Sequence, residues 1–176
     1  MIKPDYKIEV IQHIHRQAFG DEEGPVIADL VQKFMALKST LSITAEREGQ
    51  KVGNVIFTPL MIDGHPNRYC FLLCPLAVLP AFQRQGVGKE LIEKGAAHLT
   101  SIGADAMFVL GDPNYYTRHG FGLTNIQPPY SELVTMKEAW RMRELGPNAL
   151  PGIRASSKAV EPIMNPAYWD TSGHTE

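Results

Sequence analysis

Leu76-Ala77-Val78-Leu79-Pro80-Ala81-Phe82-Gln83-Arg84-Gln85-Gly86-Val87-Gly88-Lys89 carries an apolar strand through a loop into the start of a helix. Gly86 and Gly88 stand where that helix begins. The first turn of a helix has N–H groups with no partner inside the helix, and the helix dipole places partial positive charge there. Glycines remove side chains that would keep an anion from those groups. Arg84 and Lys89 add cationic side chains. On these physical grounds the segment reads as a cradle for a phosphate or pyrophosphate.

The surroundings fit a strand-turn-helix unit inside a larger sheet. Upstream, Tyr69 to Val78 is almost wholly apolar, the pattern of a central strand buried on both faces. Pro75 within it has no N–H for a ladder, so it marks a bulge or the place where pairing stops. Downstream, Val87, Leu91, Gly95, Leu99 and Ile102 fall on one face of a helix over 86–102, and Gly103 supplies its stop. Ala106 to Leu110 reads as a short buried strand. Asp112-Pro113-Asn114 then opens a short helix, with Asp112 as N-cap and Pro113 at the first position, ending at Gly120.

Further out, Ile8–Phe19 and the stretch from Pro25 to Leu37 have helical periodicity, with a breaker at Gly20-Asp21-Glu22-Glu23-Gly24 between them. Leu41 to Ala45 alternates apolar with polar, Glu48-Gly49-Gln50 is turn chemistry, and Val52 to Ile62 is β-rich. Residues 127–135 read as a loop, Met136 to Leu145 as a strand, and Val160 to Tyr168 as the seat of a last strand. No linker divides the chain. The expectation is one domain over 1–170 with a frayed tail at 171–176. Its fold class is α/β (α+β): a mixed, mostly antiparallel sheet flanked by helices.

The chain has 176 residues, a formal net charge of −2 and a hydrophobic fraction of 44%, as a globular domain does. That charge disfavours a general nucleic-acid coat, which needs a basic surface. No apolar run reaches the ~18 residues that span a bilayer, and the N-terminus lacks the apolar core of a signal peptide. A cytoplasmic location is expected, with no membrane partner. Cys70 and Cys74, on one strand, would lie ~13 Å apart, too far for a disulfide. His13, His15, His65, His98, His119 and His174 show no metal-ligand spacing and read as surface or half-buried residues. There is no Gly-x-Ser-x-Gly elbow and no sign of a nucleophile on the chain.

The spacing in the cradle separates the families that use one. A P-loop needs a glycine where Gln83 stands and Ser or Thr where Glu90 stands; a dinucleotide fold needs a third glycine where Leu91 stands. What fits is Gln-x-x-Gly-x-Gly, Gln83 to Gly88, preceded by Val78-x-Pro80. This resembles the acyl-CoA-binding motif of the GNAT superfamily of N-acetyltransferases. Asp112-Pro113-Asn114-Tyr115-Tyr116-Thr117-Arg118-His119-Gly120-Phe121 resembles the family's later motif, a tyrosine on a short helix ending in Gly-Phe. Val52-Gly53-Asn54-Val55 is similar to the family's strand after a Glu-Gly-Gln turn. The match in element order covers roughly residues 1–165.

The resemblance implies acetyl-CoA as co-substrate and a primary amine, on a small molecule or a peptide, as acceptor. It implies that the pantetheine arm pairs with the backbone near Ala77 and Val78, where two central strands splay. It places the cofactor on Gln83, Arg84, Gln85, Gly86, Val87, Gly88 and Lys89, with the pyrophosphate on the N–H groups of Gln85 to Lys89. It implies Tyr116 as general acid toward the departing thiolate, and a backbone N–H near Val78 polarising the thioester. The strand Tyr69–Val78 carries no acid to serve as general base. Asp112, Glu138, Glu144, Asp63 and His65 are candidates, and attack by the neutral fraction of the amine is another route. An acyl-CoA-binding sensor without turnover is the alternative. Trp140, Met142 and Trp169 are expected in the core or at the contact of a homodimer.

Overall fold

The computed structural model describes residues 7–130, 132, 136–147, 150 and 152–168. Its elements are α1 (Ile8–Ala36), β1 (Leu41–Arg47), β2 (Gln50–Ile62), β3 (Cys70–Val78), α2 (Val87–Ser101), β4 (Ala106–Leu110), α3 (Pro113–Thr117), β5 (Trp140–Glu144) and β6 (Ser157–Ala159). The six strands form a sheet in the order β1-β2-β3-β4-β5, with β6 paired to β2. The ladders β1–β2, β2–β6 and β4–β5 are antiparallel and β3–β4 is parallel. This is the mixed, mostly antiparallel sheet with flanking helices that the sequence predicts. The expected tail at 171–176, Trp169 and part of the loop at 127–135 lie outside the described residues.

The chain divides into two compact units, Met1–Thr58 with Leu73–Ala97, and Pro59–Leu72 with His98–Glu176. In the first, α1 is interrupted at Gly20 (φ 75°, ψ −172°), so the two helices read from the sequence form one element with a break. Helices α1 and α2 meet opposite faces of β2, because successive strand residues point to opposite sides. A Cβ on Gly53 would lie 2.9 Å from Val87 Cγ1 and 3.0 Å from Leu91 Cδ1, on the α2 side. One residue on, Asn54 bonds to His15 of α1. Phe57 also faces α2, where its ring lies against the bare backbone of Gly95. Phe57 and Leu91 are fully buried. Close packing of this kind leaves no space for added atoms.

In the second unit, the β3–β4 ladder runs from Cys70–Ala106 to Leu72–Phe108, and the described rungs end there, ahead of Pro75. The Cys74–Pro75 peptide is cis. β4 pairs with β5 over its full length, Ala106↔Glu144 to Leu110↔Trp140. Trp140 is core: it stacks on Phe108 at 5.5 Å and donates Nε1–H to Ile126 O at 2.9 Å. Two strand expectations are corrected. The strand read from Met136 begins only at Trp140, because Met136 O accepts from the N–H groups of both Ala139 and Trp140 and closes a turn. The last strand is Ser157–Ala159, not within 160–168; Pro162 and Pro166 there start 3-10 turns, since proline fixes φ and lacks the N–H of a ladder.

Candidate functional site

The segment read from the sequence as an anion cradle, residues 83–89, lies in the first unit. Leu79 N–H donates to Val52 O at 2.8 Å, fixing the end of β3 beside β2. A 3-10 turn over Pro80–Phe82 follows, and α2 starts at Val87. The loop between is tied to itself by its two glutamines. Gln83 Nε2 donates to Val78 O at 3.1 Å and Gln85 Nε2 donates to Ala81 O at 2.9 Å. Both side chains therefore serve the loop's backbone in this arrangement. Arg84 (φ 58°) and Gly86 (φ 82°) both have left-handed backbone. Such a conformation costs a side-chain-bearing residue about 1–2 kcal/mol, so Arg84 is held there by its surroundings. Gln83, Arg84, Gln85, Gly86 and Lys89 are exposed, Val87 is buried, and Gly88 and Val78 are half-buried. Ala77 is buried.

An acid in the first turn would oppose an anion at the same place, and Glu90 stands there. Its carboxylate accepts from Arg47 Nη2 at 2.6 Å and Lys94 Nζ at 2.7 Å. The Arg47 bond, then the Lys94 bond, hold its carboxyl below the usual carboxylate range. Its charge is met by two cations, and the start of α2 keeps its positive character.

Beside the strand end lies a polar network that the sequence pattern did not reveal. Ala77 and Leu79 pack with Ile14, Phe19 and Phe82, and His15 stacks on Phe19 at 6.3 Å. His15 is fully buried, contrary to the surface or half-buried placement expected of the histidines. Its Nε2 lies 2.9 Å from Asn54 Oδ1. The Asn54 amide donates to Ser42 Oγ, Ile43 O and Thr44 Oγ1 at 2.8–3.0 Å. A carboxamide oxygen only accepts, so Nε2 carries the proton, and the buried Nδ1 has no hydrogen-bond partner among the described residues, as suits a neutral ring. Burial holds the His15 pKa down at about 4, against the opposing Asn54 bond. The one sign in the sequence was the polar alternation Ser42, Thr44, which suggests a solvent face and here meets Asn54.

Tyr116 belongs to the second unit. Asp112 caps α3, its Oδ1 accepting Asn114 N–H at 2.8 Å, and Pro113 takes the first position as expected. Tyr116 is half-buried. Its ring meets the edge of Phe121 at 5.4 Å and of Tyr115 at 5.1 Å. Tyr115 also packs on His119 at 4.7 Å. Arg143 Nη1 donates to His119 O at 3.0 Å, tying the end of this segment to β5.

Three of the five candidate bases, Asp112, Asp63 and Glu138, have partners of their own. Asp112 is the helix cap. Asp63 accepts from Ser156 Oγ at 2.5 Å and faces Lys158 at 3.6 Å. Glu138 pairs with Arg141 at 3.3 Å and is largely exposed. Both cysteines are free, and burial pushes the thiols up to about 12, which keeps them from acting as thiolates. No helix among the described residues is long and apolar enough to cross a membrane.

Residues 38–122 match the model of the acetyltransferase (GNAT) domain. The chain is 36% identical to the uncharacterized N-acetyltransferase YjhQ of Escherichia coli over 141 residues, 77% of each chain. It is 30% identical to the uncharacterized N-acetyltransferase YhbS of the same species over 145 residues, 81% of this chain and 84% of that one. The crystal structure of YhbS in complex with CoA superimposes with a TM-score of 0.78 over 93% of this chain and 89% of that chain, at 24% identity. A GNAT acetyltransferase from Brucella melitensis, in complex with acetyl-CoA, gives a TM-score of 0.72 at 27% identity, covering 92% and 94%. On these matches the chain belongs to the GNAT family of N-acetyltransferases.

Proposed function

We propose that the chain moves an acetyl group from acetyl-CoA to a primary amine by direct attack. The observation that carries this is the turn at Arg84–Gly86, whose left-handed backbone leads into the unpartnered N–H groups of the first turn of α2. Acetyl-CoA is the co-substrate: its pyrophosphate lies on the N–H groups of Gln85, Gly86, Val87, Gly88 and Lys89, with Arg84 and Lys89 adding charge. Gln83 holds the loop to Val78. The pantetheine arm runs along Ala77 and Val78.

The amine's lone pair attacks the thioester carbon and the C–N bond forms. The oxyanion is held by a backbone N–H near Val78, where a fixed donor stabilises developing charge. The C–S bond then breaks, the thiolate sulfur takes the proton of the Tyr116 hydroxyl, and the nitrogen releases its proton to water. The phenolate regains a proton from solvent. In this reading the amine enters neutral, without a dedicated base, and the rate rises with pH toward the amine's own pKa. Residues 1–170 act as one catalytic domain, and two unpaired cysteines suit the cytoplasm.

Calorimetric titration with acetyl-CoA tests the cradle, with binding expected at sub-millimolar concentration. Absence of binding there overturns the reading. Thiol release from acetyl-CoA over a panel of amines separates turnover from a sensor that only binds acyl-CoA. The sensor reading is favoured by the engagement of Asp112, Asp63 and Glu138.

A further inference from the structure

Gly111 joins β4 to α3, and its backbone has no need of glycine: the described residues with left-handed φ do not include it. Its N–H donates to Ala139 O at 3.0 Å, so the chain there is anchored beside β5. The space above its Cα is filled by the ring of Tyr116. A Cβ on residue 111 would lie 2.4 Å from Tyr116 Cε2 and 3.0 Å from Cδ2. On its other contacts the ring meets Phe121, itself 1% exposed, and Tyr115. Ordinary contact begins at 3.4 Å, so any side chain at 111 displaces the ring by about 1 Å, or the strand end that faces it. A misplacement of about 1 Å in a reacting group can lower a rate about 10²-fold.

We propose that Gly111 is a positioning residue: by lacking a side chain it sets the seat of the Tyr116 ring and so the place of its hydroxyl. This rests on the reading of Tyr116 as the acid toward the thiolate. No transfer step passes through Gly111 itself. Its action is steric and reaches the reaction only through Tyr116.

The test compares wild type, Gly111→Ala, Tyr116→Phe and the double variant. Thiol release from acetyl-CoA is followed with spermidine, kanamycin or a lysine peptide, whichever is fastest, or with water where none reacts. Gly111→Ala is expected to lower kcat about 30–100-fold with the KM for acetyl-CoA within about twofold. In the Tyr116→Phe background, where the ring remains but the hydroxyl is gone, the same change lowers kcat less than about twofold. The drop in Tm is equal in both backgrounds, so a merely structural role cannot give this pattern. Equal losses of kcat in both backgrounds, or none in wild type, overturn the inference. An unaltered kcat in Tyr116→Phe overturns the acid reading instead, and no thiol release with any acceptor overturns the transferase reading; the inference falls with either. Should Gly111→Ala fail to fold, Tyr116→Ala in the same chain must restore folding, and failure to do so overturns the steric link.

Discussion

Strands β3 and β4 each run into a helix through a turn that holds a proline and a glycine. After β3 the glycine is Gly86, with φ 82° and open space where its Cβ would be. After β4 it is Gly111, whose φ is not left-handed and whose Cβ space is occupied by Tyr116. One glycine serves backbone conformation and the other serves a neighbour's ring. The loop at Gln83–Gly86 is exposed, and its glutamines bond to backbone carbonyls at Val78 and Ala81, so a ligand there would meet mostly backbone. At 111–116 the turn instead packs one side chain, the ring of Tyr116, against its bare backbone. A backbone site tolerates side-chain change and fails on a change of φ. A side-chain site fails on loss of one atom or a shift of one ring.

The largest expected effect falls on the second turn. Tyr116→Phe should lower kcat about 10²-fold and leave the Kd of acetyl-CoA within about twofold, as loss of a general acid does. Steady-state thiol release and calorimetry check both halves. A change in Kd without a change in kcat would show that the tyrosine is a binding residue like the cradle.

Acid should act on the first region. His15 beside the strand end has its pKa held at about 4 by burial, against 6.5 in an open chain. Above 6.5 both states are neutral and nothing is lost. As pH falls below 6.5 the unfolded chain takes a proton that the folded chain refuses, so stability declines until about pH 4. The full difference amounts to about 3 kcal/mol. Urea unfolding of wild type and His15→Gln across that range should show the slope in the first and a shallower one in the second. Parallel curves would contradict the assignment.

Gly86→Val places a β-branched residue at φ 82°. Strain of about 1–2 kcal/mol should raise the Kd of acetyl-CoA about tenfold, with kcat at saturation nearly unchanged. This is the opposite signature to that expected of Gly111→Ala, and kinetics at varied acetyl-CoA distinguish them. The smallest effect is expected for Arg84→Gly. It relieves the left-handed strain at Arg84 and should leave the Kd within about threefold and stability within about 1 kcal/mol. A rise in Kd beyond about tenfold would mean that the guanidinium, rather than the backbone, holds the anion.

The sequence by itself determined most of the elements and both turns. Asp112 and Pro113 cap and start α3 as read, because capping chemistry is local. β4 has the predicted bounds, and the glycine turn leads from β3 into α2 as expected. β5 starts at Trp140 and β6 lies at Ser157–Ala159, because alternation at Met136 and apolar content at 160–168 do not reveal a turn and two proline-led 3-10 segments. Only the tertiary structure decided that His15 is buried and paired with Asn54, residues 39 apart in sequence. It alone revealed why position 111 is glycine. A φ preference or a cap is written in a few neighbouring residues. Whether a histidine is dry, or a Cβ would strike a ring, depends on what the fold brings next to it.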